Sequence, residues 1–434
     1  SAATPAASPT PLPAPTAEPI STFSPGAVIM PTVAIPSPTP TLSSADSLTK
    51  TLDAVGYIVS LMRELSAFKP AEREFIFREE LLDHLREDFD EGKDKLYEIQ
   101  ELYITLGILE EDVDLYDLLL SIYGEDVLGF FDTEEELMYL VKDTPVFGPR
   151  DTLTYAHEYV HALQQQNFDI DSIIEDIKDQ SDASRAFRAL VEGDASISEV
   201  IYMFQQLDED EQTEVRQANQ AAGSGLLASA PHVIQRTRTF PYIEGPRFVI
   251  ELIQQGQGWD LVNQAFEDLP QSTEQILHPE KYMFKDEPTT VGLPDVAAAL
   301  GDEWTEVRQN TMGEFFILVY LESSVSPEQA AIAAAGWGGD RYTLLKSPQG
   351  QNLVVSLINW DTEGDAEEFV DTFLGFMLAR TDGDWELVGQ DGMSQMIILP
   401  DQSILLSLDE ADTLLIFAPD VDTLEAARMA VEEL

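Results

Sequence analysis

His157-Glu158-Tyr159-Val160-His161 sets two imidazoles four residues apart, on one face of a helix, with a carboxylate directly after the first. Such a pair can grip one metal ion, and the Glu is then placed to handle protons. The flanks predict the helix. Pro149 with Asp151 or Thr152 forms a start signal, and Leu153, Tyr155, Ala156, Val160, Ala162 and Leu163 supply apolar cover. A pattern this short also arises by accident, in which case the rings are a satisfied core pair. The chain holds only 5 His, however, and two of them falling in this frame around a Glu favours the metal.

A catalytic zinc site takes three protein ligands and keeps a fourth position for water. Downstream lies Ala189-Leu190-Val191-Glu192-Gly193-Asp194-Ala195-Ser196, a carboxylate in a helical pattern followed by a Gly that leaves room for close backbone approach. Glu192 is the expected third ligand.

On these residues the chain resembles the gluzincin metallopeptidases, whose HExxH helix is followed by a second helix with a ligand Glu, often in a Leu-x-Glu-Gly-x-Ala setting. The resemblance implies His157 and His161 as zinc ligands, Glu158 as general base and Glu192 as the Glu ligand. The chain is also similar to a group of secreted bacterial proteins that share the HExxH helix, a Glu-Gly-Asp-Ala and a Leu-His-Pro-Glu-Lys-Tyr element. That likeness spans about residues 50 to 345, and only its zinc motifs carry a mechanism. One departure concerns the support of the ligands. Thermolysin-like enzymes carry an Asp four residues beyond the ligand Glu, where this chain has Ser196. Asp194 and Glu199 are the nearby carboxylates, with Asp194 facing another side of a regular helix.

Before the metal helix, Val127-Leu128-Gly129-Phe130-Phe131-Asp132 and Leu137-Met138-Tyr139-Leu140-Val141 are β-prone runs around an acidic turn, and they predict a hairpin. It is either a plain structural hairpin or an edge to which an extended peptide adds, as the resemblance implies. A gluzincin also supplies a Tyr or His to stabilise the oxyanion. Two segments offer one: Thr273 to Tyr282, with His278 and Tyr282, and Pro241-Tyr242-Ile243-Glu244-Gly245. His278 and Tyr282 rank first as catalytic candidates, against a structural role for both. His84 and His232 stand alone, with surface or core duty as the default.

Composition bounds the class. At 434 residues and 44% hydrophobic content the chain can bury one large or two medium domains. Its 80 Asp+Glu against 24 Lys+Arg leave a formal net charge of -56, which repels nucleic acid and anionic membranes. The acidic runs Asp88-Phe89-Asp90-Glu91-Gly92 and Asp382-Gly383-Asp384-Trp385-Glu386 lack the Gly and Glu spacing of an EF-hand. With no Cys, disulfides, thiol chemistry and Cys-ligated zinc are excluded. No apolar run is long enough for a transmembrane helix, and a chain beginning at Ser1 without Met reads as a mature or trimmed product.

Residues 1 to 45 are rich in Pro, Ser, Thr and Ala, as in Pro36-Ser37-Pro38-Thr39-Pro40, and form an extended tail or linker suited to an extracellular or cell-surface protein, tethered by a lipid upstream of Ser1. Within it Gly26 to Ile35 is apolar and β-prone: an incidental patch, or a segment that docks on this subunit or a neighbour. Residues 46 to 295 make a zincin-like, mainly helical domain, with Leu52-Val55-Ile58-Leu61-Met62 and Tyr97-Ile99-Leu102-Tyr103-Leu106 at helical spacing. After Pro294 the texture changes. Phe315 to Tyr320, Leu353 to Ile358 and Leu414 to Ala418 are β-rich, while Asp365 to Leu378 and Val421 to Glu433 are helical, so residues 296 to 434 predict a small α+β domain. Gly336 to Tyr342 reads as a turn packed with Trp and Tyr. No 20-to-50-residue period repeats, and the fold class is α+β.

The expectation is a secreted or surface-tethered peptidase that uses Zn2+ and acts on a peptide or protein substrate, with neither nucleic acid nor a membrane span involved. Its rival is an extracellular structural or assembly protein on the same scaffold, self-associating through the tail, with an inactive metal site.

Overall fold

A computed structural model describes residues 45–141, 147–222, 225–301, 303–381, 385–390 and 394–432. The expectations for the tail, including the apolar segment at Gly26 to Ile35, and for the acidic loop at Asp382 lie outside these residues. The described residues belong to one compact unit, built as a helical layer joined to a sheet layer. The chain is α+β, as its texture predicts.

The helical layer opens with α1 (Ala45–Arg63), β1 (Glu72–Ile76), α2 (Arg78–Glu91), α3 (Lys93–Thr105) and α4 (Leu115–Asp126), then β2 (Gly129–Asp132) and β3 (Leu137–Val141). It continues through α5 (Pro149–Phe168), α6 (Ile170–Ile177), α7 (Ser181–Gln206), α8 (Glu209–Ala222), α9 (His232–Gly256), α10 (Asp260–Glu267), α11 (Thr273–Leu277) and α12 (Pro279–Phe284). The hairpin forms as predicted, with β2 antiparallel to β3. Strand β1, in a stretch that reads as mainly helical, adds parallel to β3, giving the order β1-β3-β2. A five-residue strand leaves too little period-2 signal to stand out between two helices.

The sheet layer comprises α13 (Val296–Leu300), β4 (Thr305–Asn310), α14 (Gly313–Glu322), α15 (Pro327–Ala334), β5 (Trp337–Lys346), β6 (Asn352–Trp360), α16 (Glu363–Arg380), β7 (Glu386–Gln390), β8 (Ser394–Ile398), β9 (Ser403–Asp409), β10 (Asp412–Ala418) and α17 (Val421–Glu432). Its seven antiparallel strands run in the order β4-β5-β6-β10-β9-β8-β7. Alternate residues of each central strand face opposite sides. Leu353, Val355, Leu414 and Ile416 pack on Leu424 and Ala427 of α17. Ser356, Ile358, Leu415 and Phe417 turn instead toward Phe316, Tyr320 and Phe369 of α14 and α16. Both faces are covered, which is why these strands read as unbroken apolar runs.

Two expectations need correction. Phe315 to Tyr320, predicted as a strand, lies within helix α14, where every residue from Gly313 to Leu321 is buried. The helix is wedged between the layers: Phe315 packs on Phe240 of α9, and Phe316 on Tyr103 of α3. A helix buried on all sides shows no 3.6 period, so its apolar run mimics a core strand. Its start is set by tertiary contacts. Asp340 accepts hydrogen bonds from Met312 N and Gly313 N, and Gly313 takes a φ of +79° with the Asp182 carboxylate where a side chain would stand. Gly336 to Tyr342, read as a turn, is mostly strand β5, with a register shift between Trp337 and Gly339.

The layers are joined by charge as well as by apolar packing. Arg308 reaches Glu98 at 3.1 Å and the Ser181 hydroxyl at 2.8 Å, while Lys281 bridges Glu274 at 2.6 Å and Asp361 at 2.5 Å. Buried at this seam are Asp182, Glu274 and Asp340. Burial pushes their carboxyls up to about 7, about 7 and about 6 respectively. Folded values above the ordinary ones mean that the protonated forms contribute stability at about pH 4, which is lost as the pH rises to about 7. Asp182→Asn removes one of these titrations. Urea unfolding at about pH 4 and about pH 8 should show the stability difference moving in the variant's favour at the higher pH, on the order of 2–4 kcal/mol. Parallel behaviour at both pH values would discount a buried titration at this position.

Candidate metal centre

Helix α5 begins where its sequence places it: Pro149 is the first residue, and Gly148 N donates to Asp151 Oδ2 at 2.7 Å. Its buried face holds Leu153, Tyr155, Ala156, Tyr159, Val160, Ala162 and Leu163. This leaves His157 and His161 turned toward α7, their rings 4.9 Å apart and edge to face. Glu192 approaches both. Its Oε2 lies 3.2 Å from His157 Nε2 and 3.5 Å from His161 Nε2, and the three donor atoms fall within 4.8 Å of one another.

Those separations test the fit of a metal. Zinc with bonds of about 2.0–2.1 Å in tetrahedral geometry spaces its ligand atoms about 3.4 Å apart. The separations of Glu192 Oε2 from the two Nε2 atoms, 3.2 and 3.5 Å, are close to that edge. Two neutral imidazoles and one carboxylate are also a donor set that zinc accepts, leaving one position open.

Each ligand is held from behind. Glu199, two helical turns beyond Glu192 on the same face of α7, places Oε2 3.2 Å from His157 Nδ1. His161 Nδ1 lies 2.8 Å from Gln164 Oε1, whose amide donates to Asp194 Oδ2 at 2.9 Å and to Val191 O at 3.0 Å. Asp194 in turn accepts from Arg63 Nε at 2.5 Å, with both side chains fully buried and the guanidinium 4.2 Å from the Trp259 ring. Ser196 thus leaves no gap: Glu199 supports one His, and Asp194, facing away, supports the other through Gln164.

The electrostatics call for a cation. Glu158, Glu192 and Glu199 surround two imidazoles. Burial alone would lower the pKa of His157, yet its hydrogen bonds to Glu192 and Glu199 hold it well above the usual histidine range. His161 is likewise raised against burial by Glu192. Burial would raise Glu192, but the two histidines hold it well below the usual carboxylate range. Protons on the rings supply the charge that a metal would otherwise bring. Glu158 is 7% exposed, is raised by burial, and its carboxyl has no hydrogen-bond partner among the described residues.

Tyr242 on α9 completes the centre. Its ring lies 6.5 Å from that of His157, and its hydroxyl faces Glu192; burial and that carboxylate hold its pKa above the usual phenol range. The position follows from a close helix crossing. A Cβ on Gly193 would lie 2.3 Å from the Gly245 carbonyl carbon, and one on Gly245 would lie 2.1 Å from Ala189 O. Only paired glycines let α7 and α9 touch backbone to backbone there.

His278 and Tyr282 are not brought to the centre. His278 Nε2 pairs with Glu314 Oε1 at 2.9 Å at the seam between layers, and the Tyr282 hydroxyl donates to Asp268 O at 2.8 Å within the helical layer. Of the residues expected as oxyanion candidates, Tyr242, the second-ranked, is the one that lies beside His157 and Glu192. His84 packs on Tyr139, with ring centroids 4.7 Å apart, and His232 pairs with Glu322. Gln164, Arg63 and Arg188 went unread, although Gln164 at three residues from His161, and Arg188 at four from Glu192, carry a helical-spacing signal.

A family model described as a domain of unknown function (DUF8575) matches residues 302–428, which is the sheet layer and excludes the metal centre. Comparison with curated proteins and with solved structures finds no match.

Two substitutions probe this construction. Gly193→Ala should force the helices apart, lowering stability by on the order of 1–3 kcal/mol in urea unfolding and weakening zinc uptake with it. Gln164→Leu should leave the helices in place but reduce zinc affinity by about 10–100-fold in a chelator competition. An unchanged affinity in Gln164→Leu would remove Asp194 and Arg63 from the metal site.

Proposed function

We propose that this chain is a zinc-dependent peptidase that acts outside the cell or at its surface. The observation that carries the reading is the convergence of His157, His161 and Glu192 at tetrahedral spacing beside the unpartnered carboxyl of Glu158. Bound zinc supplies Lewis acidity and lowers the pKa of a water to about 7.

The chain's own residues divide the remaining work. Glu158 takes the proton of the water that attacks the peptide carbonyl and later delivers it to the leaving amine, and burial suits its carboxyl to the role of base near neutral pH. The Tyr242 hydroxyl, kept protonated, donates to the developing oxyanion. Strand β2 packs against α5 and pairs on one side with β3, so its other edge is a place for an extended substrate to add. Glu199 and Gln164 keep both imidazoles turned inward. The net charge of -56 fits a well-solvated extracellular setting.

Glu158→Gln should abolish hydrolysis of a fluorogenic peptide library while the protein still takes up one equivalent of zinc in equilibrium dialysis. His157→Ala should lose both. Tyr242→Phe should lower kcat by about 10²–10³-fold with little change in KM, since the hydroxyl acts in the transition state. Hydrolysis that persists in Glu158→Gln would mean that the reading is wrong or that the activity belongs to a contaminant.

A further inference from the structure

Two arginines stand one helical turn from the metal centre. Arg188 precedes Glu192 by four residues on α7, and Arg238 precedes Tyr242 by four on α9, so each shares a face with a residue of the centre. Arg188 is 48% exposed, with Nε 3.9 Å from Glu192 Oε1, and Tyr242 is 37% exposed, so this side of the centre is open to solvent. The Arg238 guanidinium lies 3.8 Å from the centre of the Tyr123 ring, and the Tyr123 hydroxyl is a partner of both arginines.

Arg238 is the informative one. Its Nε is buried without a hydrogen-bond partner, and among the described residues no carboxylate stands within 4.0 Å of it. Arg63 and Arg185 also carry buried guanidinium nitrogens without a hydrogen-bond partner, but each has a carboxylate within 4.0 Å, which Arg238 lacks. An unpaired buried guanidinium nitrogen costs free energy, and a ligand anion that reaches it recovers that cost. Guanidinium groups bind carboxylates through paired, charge-assisted hydrogen bonds. The long-range field of this chain repels anions, and salt screens it beyond a Debye length of about 8 Å, so contact with the guanidinium groups is what would hold an anion here.

We infer that Arg188 and Arg238, with Tyr123, form a carboxylate-recognising subsite beside the metal centre, so that the preferred substrate carries a carboxylate one residue beyond the bond to be cut; the term substrate rests on the peptidase reading above. The reach fits: one helical turn is about 5.4 Å, and one extended residue spans about 3.3–3.6 Å before its own carboxylate. A free C-terminal carboxylate and an Asp or Glu side chain present the same chemistry.

Binding tests the subsite without turnover. Wild-type protein in chelator is titrated calorimetrically with three peptides: N-acetyl-Ala-Ala-Ala as the free acid, the same peptide as its amide, and N-acetyl-Ala-Ala-Glu amide. One or both anionic peptides should bind about 10–100-fold tighter than the neutral one. Preference for the free acid assigns the C-terminal carboxylate, and preference for the Glu peptide assigns the side chain. Arg188→Gln and Arg238→Gln should each remove most of that preference. Equal binding of all three peptides, no binding of any, or a preference kept in both variants overturns the subsite. The wild-type panel decides even if a variant fails to fold, and a preference that stands without any hydrolysis would separate the subsite from the peptidase reading.

Discussion

The contact between Gly193 and Gly245 governs the geometry of the centre. Helices with ordinary side chains between them pack with axes 8–10 Å apart, and here the backbones themselves touch. That approach sets Tyr242, three residues before Gly245, opposite Glu192, one residue before Gly193. Helix α7 packs separately against α5, which brings the Glu192 carboxylate to both imidazoles. A methyl group at the crossing would separate that carboxylate from the Tyr242 phenol.

The second constraint is charge. Carboxylates crowd two imidazoles in a largely buried site, and that arrangement favours positive charge between them. A divalent metal would meet the same demand more compactly. The fully buried Arg63–Asp194 pair works in the same direction from outside. Asp194 accepts from both Arg63 Nε and the Gln164 amide, so Gln164 presents its oxygen to His161. A buried ion pair adds little net stability, and its value here is in fixing an orientation.

The sheet layer stabilises the helical layer from below. Helix α14, apolar on every side, fills the space between the sheet and α9, and the carboxyls of Asp182 and Asp340 meet at its first turn. No residue of the metal centre comes from the sheet layer, which is the part that the domain of unknown function matches. The layer bears on the centre by supporting α9, which carries Tyr242, and the start of α7, which carries Glu192.

Much of the centre was legible in the linear chain because it is local. Two His and a Glu within five residues, and a Glu followed by Gly on a second helix, declare themselves through the fixed spacing of helical side chains. The hairpin, the α+β texture and the start of α5 follow from equally local signals. What the sequence left open is non-local. It ranked His278 and Tyr282 above Tyr242, because only the helix crossing decides which side chain reaches Glu192. It could not assign Glu199 to His157, or Asp194 by way of Gln164 to His161, since those pairings span 42 and 30 residues. It also took α14 for a strand, because complete burial erases the periodicity that distinguishes the two. Spacing along one helix is set by covalent geometry and is present in the sequence itself; contact between helices depends on how their surfaces pack, and exists only once the chain has folded.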